Sequence, residues 1–191
     1  GQFSRAAAQC FPGVPVHAFE PLSVCQPALR KVAERFPQIQ VHPVALGEQA
    51  GEVAMNENEY PDSSSLLTMT ERHKELWPKT RNEKRITVPM QTLDGLREQF
   101  GAGPHFLKMD GQGYELNVLR GAEETRKATS LVFTEVLFDQ FYEGQADFPA
   151  MLEFMRARNF RFVEFAAERR MPPLGELAYA DAVFVKNRPR H

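Results

Sequence analysis

Cysteine is scarce in this chain, and neither sign of charge is in marked excess. Cys10 and Cys25 are the only two cysteines, and they are not in C-x-x-C spacing. That excludes a disulfide framework and a cysteine-built zinc site. Both are expected to be reduced packing residues, as suits a cytoplasmic protein. The five histidines (His17, His42, His73, His105 and His191) never stand in H-x-x-x-H or H-x-H spacing, so no metal site is expected from them. The net charge is -2, and the basic clusters at 79–85 and Arg169-Arg170 are short. A nucleic-acid partner is therefore not expected. No apolar run approaches the roughly 18 residues of a membrane span, and no charged-then-apolar leader opens the chain. Neither a membrane span nor a secretory signal is expected.

What is present suits a globular fold. Apolar residues make up 42% and charged residues 25% of the 191 positions. A chain of this length favours one domain and buries roughly 70% of its unfolded surface. An alanine-rich helical pattern runs from Phe3 to Phe11 and stops at Pro12-Gly13. Strand-type runs follow at 14–21, 39–46, 105–110, 130–137, 161–166 and 181–187. Helical patterns lie between them at 23–36 (with Ser23 placed as N-cap), 92–100, 114–128 and 147–160. Such alternation predicts an α/β fold with a mainly parallel sheet. The tail breaks the pattern: only "AERRMPPLGELAYA" separates the last two strands, a short connection that predicts an antiparallel final strand. Residues 48–90 contain two strand-like runs around a polar, turn-rich stretch and read as a surface insertion or lid.

In open α/β sheets ligands bind beyond the carboxyl ends of the strands. Glu20, Asp110, Glu135 and Asp139 fall at or near such ends, where an unpaired acid avoids the cost of burial. Glu20 closes a strand that follows the first helix. A carboxylate there suits a ribose diol, whose two hydroxyl protons its oxygens can accept. It suits a helix-capping or salt-bridged surface acid equally. "DGQG" at 110–113 imitates a phosphate-cradling loop, but Gly111, Gly113 and Leu116 give only G-x-G-x-x-L. Its glycines are better read as allowing a tight strand-to-helix turn, leaving Asp110 as an acid facing the cleft. Glu115 reads as a first-turn acid that satisfies the helix N-terminus, and Gly121 as the residue ending that helix.

The segments "VHAFEP", "VALGEQAGEV", "SSSLL", "VPMQTLD", "FLKMDGQGYELNVLRGAE", "FTEVLFDQFYEG" and "YADAVFV" occur in the order seen in FkbM-type methyltransferases, and the chain resembles that family over nearly its whole length. Block 106–123 is the most specific element. "GQFS" at the start looks like the end of a D-x-G-A-N-x-G-Q-F-S glycine motif, so the resemblance implies a first strand and glycine loop that are missing ahead of Gly1. Gly111 departs from the family pattern, which usually has a bulkier residue there. The resemblance implies a Rossmann-like class I methyltransferase fold, one domain over 1–191, and S-adenosylmethionine as cofactor. It further implies O-methylation of a small-molecule or glycan hydroxyl. Gly1, Glu20, Asp110 and Ser64 would contact the cofactor, with Ser63 and Ser65 as neighbours lining the pocket. Asp110, and second to it Glu135, would position or deprotonate the acceptor. Two other readings stay open. One is a non-catalytic or truncated remnant of that fold; the other is a nicotinamide-dependent oxidoreductase fragment, whose ribose Glu20 would fit equally well.

Overall fold

The computed structural model describes residues 1–171 and 173–187; His191 lies outside them. Helices and strands alternate through the first half: α1 (Gln2–Cys10), β1 (Val16–Phe19), α2 (Gln26–Arg35), β2 (Ile39–His42), β3 (Ala45–Leu46) and β4 (Gly51–Asn58). They continue with α3 (Glu71–Leu76), β5 (Glu83–Gln91), α4 (Leu93–Leu96), β6 (His105–Met109), α5 (Glu115–Arg120), β7 (Thr129–Leu137), α6 (Phe148–Ala157), β8 (Phe160–Met171) and β9 (Glu176–Lys186). The strands form three sheets: β1 beside β2, then β3-β5-β4, then β6-β7-β9-β8. Pairs β1–β2, β3–β5 and β6–β7 are parallel; β4–β5, β7–β9 and β8–β9 are antiparallel. The result is a mixed α/β architecture in which the last strand runs antiparallel to its neighbours.

The largest core lies under the four-stranded sheet. In β7, Val132, Thr134 and Val136 alternate inward, and in β9 so do Ala180, Ala182 and Phe184, the period-2 pattern of a strand. Their partners come from helices: Leu116 and Leu119 of α5, and Met151 and Met155 of α6. The last two are four apart and so share one helical face. Helix α6 begins where Asp147 accepts a hydrogen bond from the Ala150 N–H at 2.9 Å, an N-cap that satisfies an otherwise orphaned donor. The unit made by β1, β2, α1 and α2 has a smaller core of Ala8, Ala18, Leu29 and Ile39.

Several expected boundaries move. The 39–46 run breaks at Pro43, and its two halves pair in different sheets. Helix α2 starts at Gln26 with Cys25, not Ser23, at the N-cap. The polar "AERR" run extends β8 and is paired with β9 as far as Met171↔Glu176. It escapes notice because β8 is an edge strand exposed along most of this length. Strand β6 is only half-buried, with Phe106 exposed. Cys10 is exposed rather than packed, and both cysteines are free. Gly121 follows α5 with φ -80, so left-handed backbone does not explain it. A Cβ there would collide with the Gly47 carbonyl, and close approach is what the glycine permits. No helix among the described residues is long and apolar enough to cross a membrane.

Residues 59–82 do not hang free of the fold. Ser64, Ser65, Met69 and His73 are buried, and Met69 forms a bridge to Tyr142 while Asn56 forms one to Ser65. This stretch therefore reaches from the three-stranded sheet to the segment that follows β7.

Candidate functional site

Strand β6 delivers Asp110 at its carboxyl end, and the chain turns at once. Gln112 takes φ 51 and Gly113 φ 93. The second is backbone that favours glycine, and a Cβ there would also press on Tyr142 and Gln145 at 3.2 Å. The turn is stabilised from the far side by Glu115. Its carboxyl is buried and accepts from the Gly111 N–H at 2.7 Å and the Gly113 N–H at 3.4 Å. Burial pushes its pKa up to about 7 against those hydrogen bonds. Glu115 thus holds the loop, as expected of a first-turn acid, and the glycines serve the turn.

Asp110 is exposed and makes an ion pair with Lys108 Nζ at 2.8 Å. Glu135 lies within β7, two residues before its end, opposite Asp181 of β9. It is therefore less a strand-end residue than expected. Burial, then the neighbouring Asp110, Glu115 and Asp181, push its pKa up to about 9, with Lys108 opposing. Asp181 is raised by burial, with Lys108 opposing. One side chain bridges the two acids. The Gln112 amide nitrogen donates to Asp110 at 2.9 Å and lies 3.4 Å from Glu135. Its amide oxygen accepts from the Tyr142 hydroxyl at 2.8 Å, and its backbone carbonyl accepts from the Ser65 hydroxyl at 2.8 Å. Burial raises the Tyr142 pKa far above the ordinary phenol value, so the hydroxyl is a donor throughout the working pH range.

Glu20 stands just past the end of β1. One carboxylate oxygen accepts from the Leu22 N–H at 2.9 Å; among the described residues the other has no hydrogen-bond partner. Burial raises its pKa, while the Leu22 N–H and the amino group of Gly1 oppose and Asp62 adds to the rise. Gly1 is the N-cap of α1 and lies against Leu29 and Val32 of α2. Ser64 is buried with its hydroxyl accepting from the Asn58 N–H at 2.9 Å, so it braces the segment from inside. Its neighbour Ser65 is the serine that reaches Gln112. Residues 62–65 thus touch both ends of the site electrostatically or by hydrogen bond, through Asp62 at Glu20 and Ser65 at Gln112. Asp139 is tied at 3.0 Å to Arg72 and has no contact with the acid pair. Gln112, Tyr142 and Lys108 lie in segments that carry the family resemblance, but no local pattern marks them as site residues: each joins the site through contacts the fold creates. A surface depression of about 530 Å³, lined by Arg97, His105, Thr125 and Lys127, sits at the opposite end of β6.

The arrangement offers an ion-paired carboxylate beside a carboxyl that keeps its proton at neutral pH. A second, half-buried carboxylate, with one oxygen unpartnered among the described residues, stands at the end of β1. Together these groups can accept a proton, donate a hydrogen bond and hold a diol or a cation.

Comparison with known proteins agrees with the resemblance. The model of the Methyltransferase FkbM domain matches residues 2–162. The 2-O-methyltransferase NoeI of Sinorhizobium fredii (strain NBRC 101917 / NGR234) is 24% identical over 162 residues, covering 81% of this chain and 67% of that protein. The crystal structure of Methyltransferase FkbM from Methylobacillus flagellatus KT superposes with a TM-score of 0.57 at 15% identity. That match covers 95% of this chain and 40% of the other, so the chain spans well under half of the solved protein. With a family model spanning most of its length, the chain belongs to the FkbM methyltransferase family.

Proposed function

We propose that this chain transfers a methyl group from S-adenosylmethionine to a hydroxyl oxygen of a sugar or secondary metabolite, on a Rossmann-like class I framework. The observation that carries this reading is the pairing, through Gln112, of Asp110 just past the end of β6 with Glu135 near the end of the parallel neighbour β7, within a chain of a methyltransferase family. The name of the NoeI relative, a 2-O-methyltransferase, favours oxygen as the acceptor atom and a glycan as the acceptor class. Family membership leaves the oxidoreductase reading without support. Among the described residues, β1 pairs only with β2, and β6 only with β7. The Rossmann-like reading places one further parallel strand between those two open edges.

The donor set fits the cofactor. Among the described residues Glu20 has an oxygen free to accept from a ribose hydroxyl, and the Asp110 carboxylate at the other end of the site suits a positive sulfonium. When bound, S-adenosylmethionine supplies an electrophilic methyl group on sulfur. The chain's residues do the rest. Asp110 takes the proton of the acceptor hydroxyl, which raises the nucleophilicity of that oxygen. Glu135, protonated near neutral pH, donates a hydrogen bond to a second oxygen of the acceptor and so orients it. Ser65, Tyr142 and the buried face of residues 64–73 shield one side of the acids from water.

Calorimetry with S-adenosylmethionine tests the binding half. Glu20→Ala should weaken affinity by about 10–100-fold, the order expected from losing charge-assisted hydrogen bonds; equal affinity removes Glu20 from the site. Release of S-adenosylhomocysteine in the presence of glycans with free 2-hydroxyls tests the chemical half. Asp110→Asn should keep cofactor affinity while turnover falls by about 10²–10⁴-fold, the usual contribution of a general base. Normal turnover would overturn its role. Failure of the parent chain to bind the cofactor, together with cooperative melting, would favour the remnant reading.

A further inference from the structure

We propose that Gln112 is a positioning residue of the reaction: its side-chain amide, latched in one orientation by Tyr142, aims its NH₂ at Asp110 and Glu135 and holds the two acids as one unit. This rests on the reading of those acids as the reacting pair. The geometry is specific in three ways. The amide oxygen is occupied by the Tyr142 hydroxyl at 2.8 Å, so turning the amide over would cost that bond and set an oxygen against the Asp110 oxygen 2.9 Å away. The backbone of Gln112 is fixed in left-handed conformation, φ 51, which a glutamine adopts only when its surroundings hold it. Those surroundings include the Ser65 hydroxyl on its carbonyl, contributed from a position 47 residues earlier. Tyr142 itself is almost wholly buried, with ring contacts to His73 at 5.1 Å, and has no freedom to follow a moving amide.

The groups facing Glu135 make this donor consequential. Asp110 and Lys108 lie on the β6 side, Glu115 on α5, Asp181 and Tyr179 on β9, and Tyr142 beyond the end of β7. Acids outnumber the lone lysine there. An NH₂ aimed at two carboxyls stabilises whichever one is charged and opposes their mutual repulsion. Because the two acids interact, they titrate as a pair.

The test is a pH titration of the full chain carrying ¹³C-carboxyl glutamate, read by NMR at Glu135. Calorimetry with S-adenosylhomocysteine is run on the same samples. Gln112→Met, which removes the amide, should raise the Glu135 midpoint by about one unit, a tenfold change in proton affinity. Gln112→Glu keeps the shape and the Tyr142 bond but turns the donor into an acid, and should raise it most. Tyr142→Phe releases only the latch, and should move the midpoint in the same direction by a smaller amount. That variant removes a single hydroxyl, so it keeps the test decisive if a Gln112 variant fails to fold. A midpoint unmoved in folded Tyr142→Phe and Gln112→Met, whatever their melting temperatures, overturns the assignment and leaves Gln112 a loop-bracing residue. Shifted midpoints in the variants, with a parent chain that does not bind S-adenosylhomocysteine, would uphold the positioning of the acids and reject methyl transfer as their purpose.

Discussion

The two ends of the candidate site are built differently. Glu20 belongs to a two-stranded unit whose core is four buried residues, two of them alanines, and one of its carboxylate oxygens is unpartnered among the described residues. Asp110 and Glu135 belong to a four-stranded sheet over the largest core of the molecule, and their geometry is fixed by Gln112, Tyr142 and Ser65. On the proposed reading, the contrast matches the demands of the two tasks. Chemistry needs groups held close to one geometry in advance. A binding end can be completed by its ligand, which stabilises whatever it binds.

The largest expected effect tests the firm side. Phe184 of β9 is fully buried against Phe160, Phe162 and the helices beneath. Phe184→Ala should cost about 3–5 kcal/mol in urea unfolding, the range for deleting a buried aromatic ring. A loss under about 1 kcal/mol, which a collapsible site would give, would deny the sheet its rigidity and with it the contrast.

Next comes a change of opposite sign. Glu135 is an acid whose folded pKa, about 9, lies above the ordinary 4.5. The native state therefore binds more protons than the unfolded chain between those values. Stability from this group is intact below 4.5 and is lost as pH rises toward 9. Glu135→Gln removes that loss while keeping an amide where the carboxyl was. The variant should match the parent near pH 4.5 and exceed it by about 3 kcal/mol near pH 7, at 1.36 kcal/mol per pH unit. Parallel stability curves across that range would show that Glu135 is not desolvated. The firm end would thus carry a destabilising residue, as functional sites often do.

Much of this contrast could be read in the amino-acid order, and the rest could not, for physical reasons. Period-2 and period-3.6 patterns located nearly every strand and helix because burial imposes those periods. An acid directly after an apolar run marked Glu20 and Asp110 as residues at strand ends. The break at Pro43 was hidden because the two halves of 39–46 both read as strand and only their partners differ. The antiparallel pairing of β8 and β9 was legible from their short connection, but its length was hidden because the far end of β8, residues 168–170, is polar on both faces. Gln112 was hidden most completely. Between two glycines it reads as a spacer, and its contacts come from Ser65 and Tyr142, 47 and 30 residues away, a separation no local pattern encodes.

The smallest expected effect probes the other end. His17 Nδ1 and His42 Nε2 lie 3.0 Å apart on β1 and β2, with Phe100 against one ring and Phe19 stacked on the other. Burial lowers the pKa of both, and for His17 the neighbouring His42 and His105 lower it further. The native unit then binds fewer protons than the unfolded chain below the ordinary histidine value of 6.5, so its stability is full above that value and declines as pH falls through it. A whole-molecule melt would blur this. His73, buried beside Trp77 and Tyr142 and pushed down to about 4 by burial, adds an acid-side loss to the neighbouring cluster in the same range. Residue-resolved hydrogen exchange separates the two. Between pH 7 and pH 5, after correction for intrinsic exchange, amides of β1 and β2 should lose protection while those of β7 and β9 change less. His42→Phe, which keeps the stack on Phe19 and removes one titrating ring, should reduce the loss in β1 and β2 alone. If all four strands lose protection equally and the variant changes nothing, the two ends unfold as one unit, and the adaptable end of the site is as rigid as the chemical one.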